Sequence, residues 1–253
     1  MIKKPTIAFW FRYSPADHAE LYPAMPNLIR RLAEEADIHY FALRGHKPLP
    51  DNLARVCRLH LLPFDINRSS TFDKLLKLLT WYVCLPFIAL RCRCLGVRVV
   101  CINDYLPMGA LIARVFFGRN VAVWIADFLH EVYAARHPVL KPVAKLISAL
   151  DIATWRRLPL IFTLTKATRA HLADQGIRED RIHAVHDPCD TDIYRPVERA
   201  RCRVRFGYSD DEFVMLHHGI LHPNKAIDRI LRGLLALAEK HKNLRLLLVG
   251  SGP

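Results

Sequence analysis

The stretch 214–253, VMLHHGILHPNKAIDRILRGLLALAEKHKNLRLLLVGSGP, decides the fold. Val214, Leu216 and the run Leu244 to Val249 are short apolar segments bounded by polar residues or glycine. That is the pattern of buried parallel strands. Between them, Ile227, Ile230, Leu231, Leu234, Leu235 and Ala238 recur at helical spacing and form one apolar face. The reading is strand, loop, helix, strand and a Gly-rich turn. Asn224 is expected to cap the helix, with Lys225 in its first turn. A lysine there opposes the helix dipole, whose positive end favours anions. A bound phosphate offsets that cost, and the free N–H groups of a helix N-terminus are suited to hold one.

Taken alone, Lys225 reads as an exposed helix residue. In register with its neighbours it carries more. Gly219, Lys225, Asp228 and Gly250-Ser251-Gly252-Pro253 resemble the start of the C-terminal domain of glycosyltransferase family 4. That family has the GT-B architecture and reads G-R-L-x-x-x-K-G-x-D, then helix, strand and G-x-G-P. Ile220 stands where the family has arginine, and Ala226 where it has glycine. The resemblance implies that Gly219 and Lys225 bind the diphosphate of a nucleotide-sugar donor. With the arginine replaced by Ile220, one of the family's two donor-holding cations is missing.

The first half reads as β-α-β from its start. Thr6 to Phe11, Ile38 to Leu43 and Arg58 to Phe64 are predicted strands. Met25, Leu28, Ile29, Leu32, Ala33 and Ala36 mark the intervening helix. A parallel sheet covered by helices follows. No glycine occurs between Met1 and Arg44, which argues against a G-x-G-x-x-G dinucleotide site after the first strand. Further strands are predicted at Val97 to Ile102, Val121 to Ala126, Leu160 to Leu164 and Arg181 to Val185. Helix faces are read from Met108, Leu111, Ile112 and Val115, from Leu140, Val143, Ile147 and Leu150, and from Ala167, Ala170 and Leu172, the last capped by Thr165.

Asp104 follows one strand, and Asp127, His130 and Glu131 follow the next. Ligands of open α/β sheets bind at such carboxyl ends. By itself His130 reads equally well as a partly buried polar residue. The segment Asp127 to Tyr133 resembles the family loop that carries a histidine beside the reacting sugar. The resemblance makes His130 the catalytic-site residue, with Asp104, Asp127 and Glu131 as acceptor or sugar contacts. His186 to Pro196 resembles the family's interdomain element, with Asp190, Tyr194 and Pro196 matching.

Leu75 to Leu90, LLKLLTWYVCLPFIAL, is shorter than the roughly 20 residues of a membrane span and is broken by Lys77 and Pro86. Two readings stay open. It is a core helix, or part of it, with Trp81, Tyr82, Arg91, Arg93 and Arg98, lies on an anionic membrane surface. The balance of 37 Lys plus Arg against 24 Asp plus Glu, net +13, suits polyanionic or phosphorylated partners. Zinc spacings, a helix-turn-helix pattern and aromatic RNA-binding motifs are missing, so nucleic acid is the weaker partner. The seven cysteines form no C-x-x-C pair and read as buried thiols of a reducing compartment. The N-terminus lacks the apolar region and cleavage site of a signal peptide.

The expectation is therefore an α/β protein of GT-B type. Residues 1–186 form an N-terminal, acceptor-side Rossmann-like domain, 187–211 a linker, and 212–253 part of a nucleotide-sugar-binding domain. The family's second acidic motif is expected past Pro253, so the sequence reads as a fragment. The implied function is a retaining transferase that moves a sugar from a nucleotide-diphosphate sugar to an acceptor hydroxyl of a carbohydrate or lipid-linked acceptor. The implied setting is cell-surface polysaccharide or glycolipid synthesis, in the cytoplasm or on the inner face of its membrane. No metal or other cofactor is implied. The second reading is a non-catalytic relative that binds a membrane or a partner. A nucleotide-sugar epimerase is the third.

Overall fold

The computed structural model describes residues 4–14, 25–44, 51–65, 71–103, 108–126, 128, 139, 141–186, 191, 194–219, 221 and 225–252. The chain divides into two compact units, Met1–Asp190 and Thr191–Pro253. The first is built on strands β1 Thr6–Trp10, β2 Asp37–Arg44, β3 Cys57–Asp65, β4 Val99–Asn103, β5 Val121–Ile125, β6 Leu160–Thr163 and β7 Ile182–Ala184. They form one parallel sheet in the order β3-β2-β1-β4-β5-β6-β7. Each lies within about two residues of its predicted span. The winding reverses between β1 and β4, the switch point where ligands of such sheets bind.

Helices α1 Met25–Glu35, α2 Asp51–Ala54, α3 Thr71–Cys94, α4 Gly109–Phe117, α5 Lys141–Trp155 and α6 Lys166–Asp174 cover the sheet. Strand alternation sorts the core into two layers. Ala8 and Trp10 face Trp81, Leu85, Ala113 and Trp155 on one side. Phe9 and Phe11 face Ile29, Tyr40 and Leu53 on the other. All five residues of β5 are buried, as expected of a strand covered on both faces.

Some helices turn a different face to the core from the one their periodicity predicts. Val115 of α4 and Val143 and Leu150 of α5 point to solvent. The buried residues are Gly109, Ala110 and Ala113 of α4, and Ala144, Asp151, Thr154 and Trp155 of α5. Small residues let α4 pack closely on β4 and β5, and α5 packs against α4, so the larger apolar residues turn aside. In α6, Leu172 is buried, whereas Ala167 and Ala170 are exposed. Its expected cap is present: Thr165 Oγ1 accepts the Thr168 N–H at 3.0 Å.

The long helix α3 is a core helix on one of its faces. Trp81, Leu85, Ile88, Ala89 and Cys92 lie in the core, and Tyr82 packs partly against it. The aromatic residues considered for a membrane surface thus belong to the interior. Leu76, Leu79, Val83, Phe87 and Leu90 remain exposed on the other face. Among the described residues, no helix is long and apolar enough to cross a membrane. The described cysteines are free. Burial pushes the thiols of Cys57, Cys92 and Cys101 up to about 12, which makes them unreactive.

The second unit contains α7 Arg199–Phe206, β8 Phe213–His218, α8 Ile227–Ala238 and β9 Leu244–Val249. Helix α7 lies in the stretch expected to be a linker. Gly207, at φ 72°, ends it, and Arg203 then donates to the carbonyls of Ser209 and Glu212. Strands β8 and β9 pair in parallel from Phe213↔Leu244 to His218↔Val249. None of the described residues of this unit is fully buried, because two strands and a helix cover little surface.

Candidate functional site

In the second unit, pairing continues past the ends of β8 and β9. The Gly219 N–H donates to the Val249 carbonyl at 2.9 Å, and the Leu221 N–H to the Ser251 carbonyl at 2.9 Å. Two glycines permit this approach. A Cβ at Gly250 would lie 1.8 Å from the Gly219 carbonyl oxygen, and one at Gly252 would lie 1.9 Å from that of Leu221. The G-x-G element is therefore a backbone lock between two loops at the carboxyl end of this small sheet. Gly219 itself has φ 137°, a conformation open to glycine.

Helix α8 starts later than expected. Its N-cap is Ala226, with φ 52° and ψ 37° and no side-chain cap bond. Lys225 is exposed and precedes the cap instead of sitting in the first turn. Asn224, the expected cap, lies outside the described residues. The left-handed conformation costs an L-residue about 1 kcal/mol, and glycine is free of that cost. This gives a physical reason for the glycine that the related motif has at Ala226. Ala226→Gly is accordingly expected to stabilise the second unit by about 1 kcal/mol, less the extra freedom of the unfolded chain. A thermal melt tests it, and a lower transition would contradict the strain. Ala226 has no side-chain acceptor of its own, so among the described residues the first N–H groups of α8 are open to an acceptor such as a phosphate oxygen.

In the first unit, the chain leaving β1 stays paired with β2. The Phe11 N–H donates to the Phe41 carbonyl at 3.1 Å, and the Leu43 N–H to the Arg12 carbonyl at 3.0 Å. Tyr40 Oη donates to the Tyr13 carbonyl at 3.0 Å. The Arg12 guanidinium lies 4.5 Å over the Tyr13 ring and donates to its hydroxyl. The segment after β1 is thus an extended, hydrogen-bonded continuation and has no need of a glycine turn.

Asp104, Asp127, His130 and Glu131 lie outside the described residues; of the predicted site residues, Gly219 and Lys225 are described. The strands before the other four, β4 and β5, end at Asn103 and Ile125 on the carboxyl edge of the sheet. Sequence reasoning passed over Asp151. It is 1% exposed, on the buried face of α5. Its carboxylate accepts the Met108 N–H at 2.7 Å, at the start of α4, where Met108 has φ 65°. Burial pushes its carboxyl up to about 6, while the Met108 N–H pulls the other way. The available signal was an acid four residues before Trp155 on an otherwise apolar stripe.

No protein-family profile matches the chain. It is 33% identical over 142 residues to D-inositol 3-phosphate glycosyltransferase 1 of Catenulispora acidiphila, covering 54% of this chain and 33% of that protein. It is 36% identical over 69 residues to D-inositol 3-phosphate glycosyltransferase of Nocardioides sp., covering 27% and 15%. The matches thus span a third or less of these relatives' length. Sucrose-phosphate synthase of Thermosynechococcus elongatus superposes with TM-score 0.62 at 16% identity, over 98% of this chain and 62% of that one. Anabaena HepE, solved in complex with UDP, gives 0.61 at 13% identity, over 98% and 61%.

The fold is of the GT-B type. A seven-stranded Rossmann-like unit is followed by a β-α-β of a second.

Proposed function

We propose that this chain is part of a retaining glycosyltransferase of family 4. It would transfer a sugar from a nucleotide-diphosphate sugar to an acceptor hydroxyl, in the synthesis of a cell-surface polysaccharide or glycolipid in the cytoplasm. The observation that carries the reading is the glycine-locked loop pair at the ends of β8 and β9, on the segment that leads to Lys225 and the start of α8 at Ala226. Backbone N–H groups and one ammonium in that place suit a diphosphate. The relatives named as D-inositol 3-phosphate glycosyltransferases, and the neighbour solved with UDP, support the same class. The relatives' names also favour a polyol hydroxyl as acceptor.

In the transfer, the bond from the anomeric carbon to the diphosphate breaks, and the diphosphate takes the electron pair. The acceptor oxygen bonds the same carbon from the same face and gives up its proton to a diphosphate oxygen. Lys225 and the α8 N-terminus neutralise the charge that grows on the leaving group, so this reading needs no metal. His130 hydrogen-bonds the transferred sugar, and Asp104, Asp127 and Glu131 orient hydroxyls.

The test is turnover of a nucleotide-sugar panel beginning with UDP-glucose, with Lys225→Ala and His130→Ala compared to the parent. Lys225→Ala is expected to raise the donor KM by about tenfold or more, the scale of one charge-assisted contact. His130→Ala is expected to lower kcat with little change in donor KM. Unchanged donor kinetics in Lys225→Ala would remove that lysine from the site. Absence of both turnover and UDP binding would favour the non-catalytic reading. Product formed without an acceptor would favour an epimerase.

A further inference from the structure

Two histidines meet across the outermost strand pair of the first unit. His39 is 3% exposed in β2. His60 is half-buried on β3, an edge strand that pairs with β2 alone. Nδ1 of His39 lies 2.9 Å from Nε2 of His60, and the ring planes are within 7° of parallel. Parallel planes can be no further apart than those two nitrogens, which is closer than the roughly 3.5 Å at which stacked rings rest. The rings therefore lie side by side, with a hydrogen bond directed along their common plane. Phe41, the register partner of His60, stacks on the His60 ring at 4.4 Å between centroids and holds it in place.

Such a bond constrains the protons of the pair. A neutral imidazole has one N–H and one bare nitrogen, and the bond needs one of each on the facing atoms. It survives in the neutral pair, and also after one added proton, which goes to an outward nitrogen. A second added proton puts N–H groups on both facing nitrogens. The bond is then replaced by a contact between two donors that both carry positive charge.

The surroundings oppose that state. Arg58 on β3 is the register partner of His39, and Arg91 acts on both rings from α3. Asp37 on β2 favours charge on His39, though less than Arg58 opposes it. Cys84 of α3 lines the same cleft as His60, and burial raises its thiol, so it stays neutral. Burial, Arg58 and Arg91 hold His39 below the ordinary 6.5; burial, His39 and the same arginines do so for His60. The stability that the pair contributes is therefore fully present above about pH 6.5 and is lost as pH falls through the lowered values. Strand β3 has no second strand to hold it, and its ladder with β2 shifts register between Leu43 and Arg44.

We propose that His39 and His60 form an acid-released latch that holds the edge strand β3 on β2, closed while the facing nitrogens share one proton and opened when each carries its own. Opening frees the backbone groups along the β2 edge. This inference does not rest on the transferase reading.

The experiment is hydrogen exchange of the full chain between about pH 7.5 and about pH 4.5, compared as protection factors to remove the intrinsic pH dependence of exchange. In acid the amides of Leu59 to Leu62 are expected to lose about tenfold in protection, the scale of one buried hydrogen bond, while β4 and β5 keep theirs. His60→Gln keeps a side-chain donor and acceptor for His39 but takes up no proton. It is expected to make β3 protection independent of pH over this range. Histidine ¹⁵N NMR of the parent is the second readout. It is expected to show one proton shared by the two facing nitrogens and two separate titration steps below 6.5. Equal β3 protection at both ends of the range would overturn the proposal. So would an acid loss spread evenly over β4 and β5, the same loss in His60→Gln, or rings that titrate independently near 6.5.

Discussion

Gly250→Ala is expected to destabilise the second unit by roughly 3–5 kcal/mol, from overpacking plus two lost backbone hydrogen bonds. The added methyl would lie 1.8 Å from the Gly219 carbonyl oxygen and 2.9 Å from its carbon. Both atoms are backbone and have no rotamer to escape into. Gly250 also has φ 157°, at the edge of the region that side chains avoid. The two loops must part, which breaks the bonds from Gly219 to Val249 and from Leu221 to Ser251. Under the proposed function, UDP binding is expected to fall along with stability. Gly233→Ala is the control. A Cβ at that position of α8 meets nothing within 4 Å, and alanine there should add about 1 kcal/mol of helix stability. Chemical denaturation of both variants tests the pair. A Gly250→Ala protein as stable as the parent would show that the loops are not locked.

Asp151→Asn is expected to stabilise the protein at neutral pH by about 2 kcal/mol. The carboxyl is buried, and its folded value is raised from 3.8 to about 6. Folding therefore favours the protonated acid. The stability it contributes is fully present below about pH 4 and is lost as pH rises through about 6. A difference of that size is worth about 3 kcal/mol, at 1.36 kcal/mol per tenfold change in proton affinity. Asparagine keeps an oxygen for the Met108 N–H but carries no charge at any pH; burying its amide offsets about 1 kcal/mol of the gain. Parent and variant should converge in stability near pH 4 and separate near pH 7. A variant that melts lower at pH 7, or follows the parent's pH profile, would mean that the carboxylate is better satisfied than the bond from Met108 indicates.

In α4 and α5 the buried face is not the face with the most large apolar residues. Counting large apolar side chains put Val115, Val143 and Leu150 inside, yet Ala110, Ala113 and Ala144 are the buried residues. Periodicity reports that a helix has an apolar side. It does not report how close the helix comes to its neighbour, the sheet for α4 and α4 for α5, and close approach selects small residues. Asp151 was missed for a related reason, since an acid on a buried stripe is acceptable only when another segment supplies a donor, here Met108 from 43 positions away. The start of α8 differs because a cap is chosen by backbone conformation as well as by side-chain chemistry. Ala226 occupies that position despite its left-handed strain.

Strand positions, the parallel character of the sheet and the β-α-β reading of 214–253 were determined by the sequence alone. Runs such as VAVWI at 121–125 and LRLLLV at 244–249 encode local extension and burial within a few residues. The candidate residues Gly219, Lys225, Gly250 and Gly252 were likewise legible as a motif. Only the tertiary structure decided what the motif's glycines do: they let two loops that are 31 positions apart share backbone hydrogen bonds. It alone also decided which half of α3 is bare, because LLKLLTWYVCLPFIAL is apolar on every side. Local sequence sets which conformations are cheap. Which surfaces meet depends on residues far apart in the chain, and no local pattern carries that information.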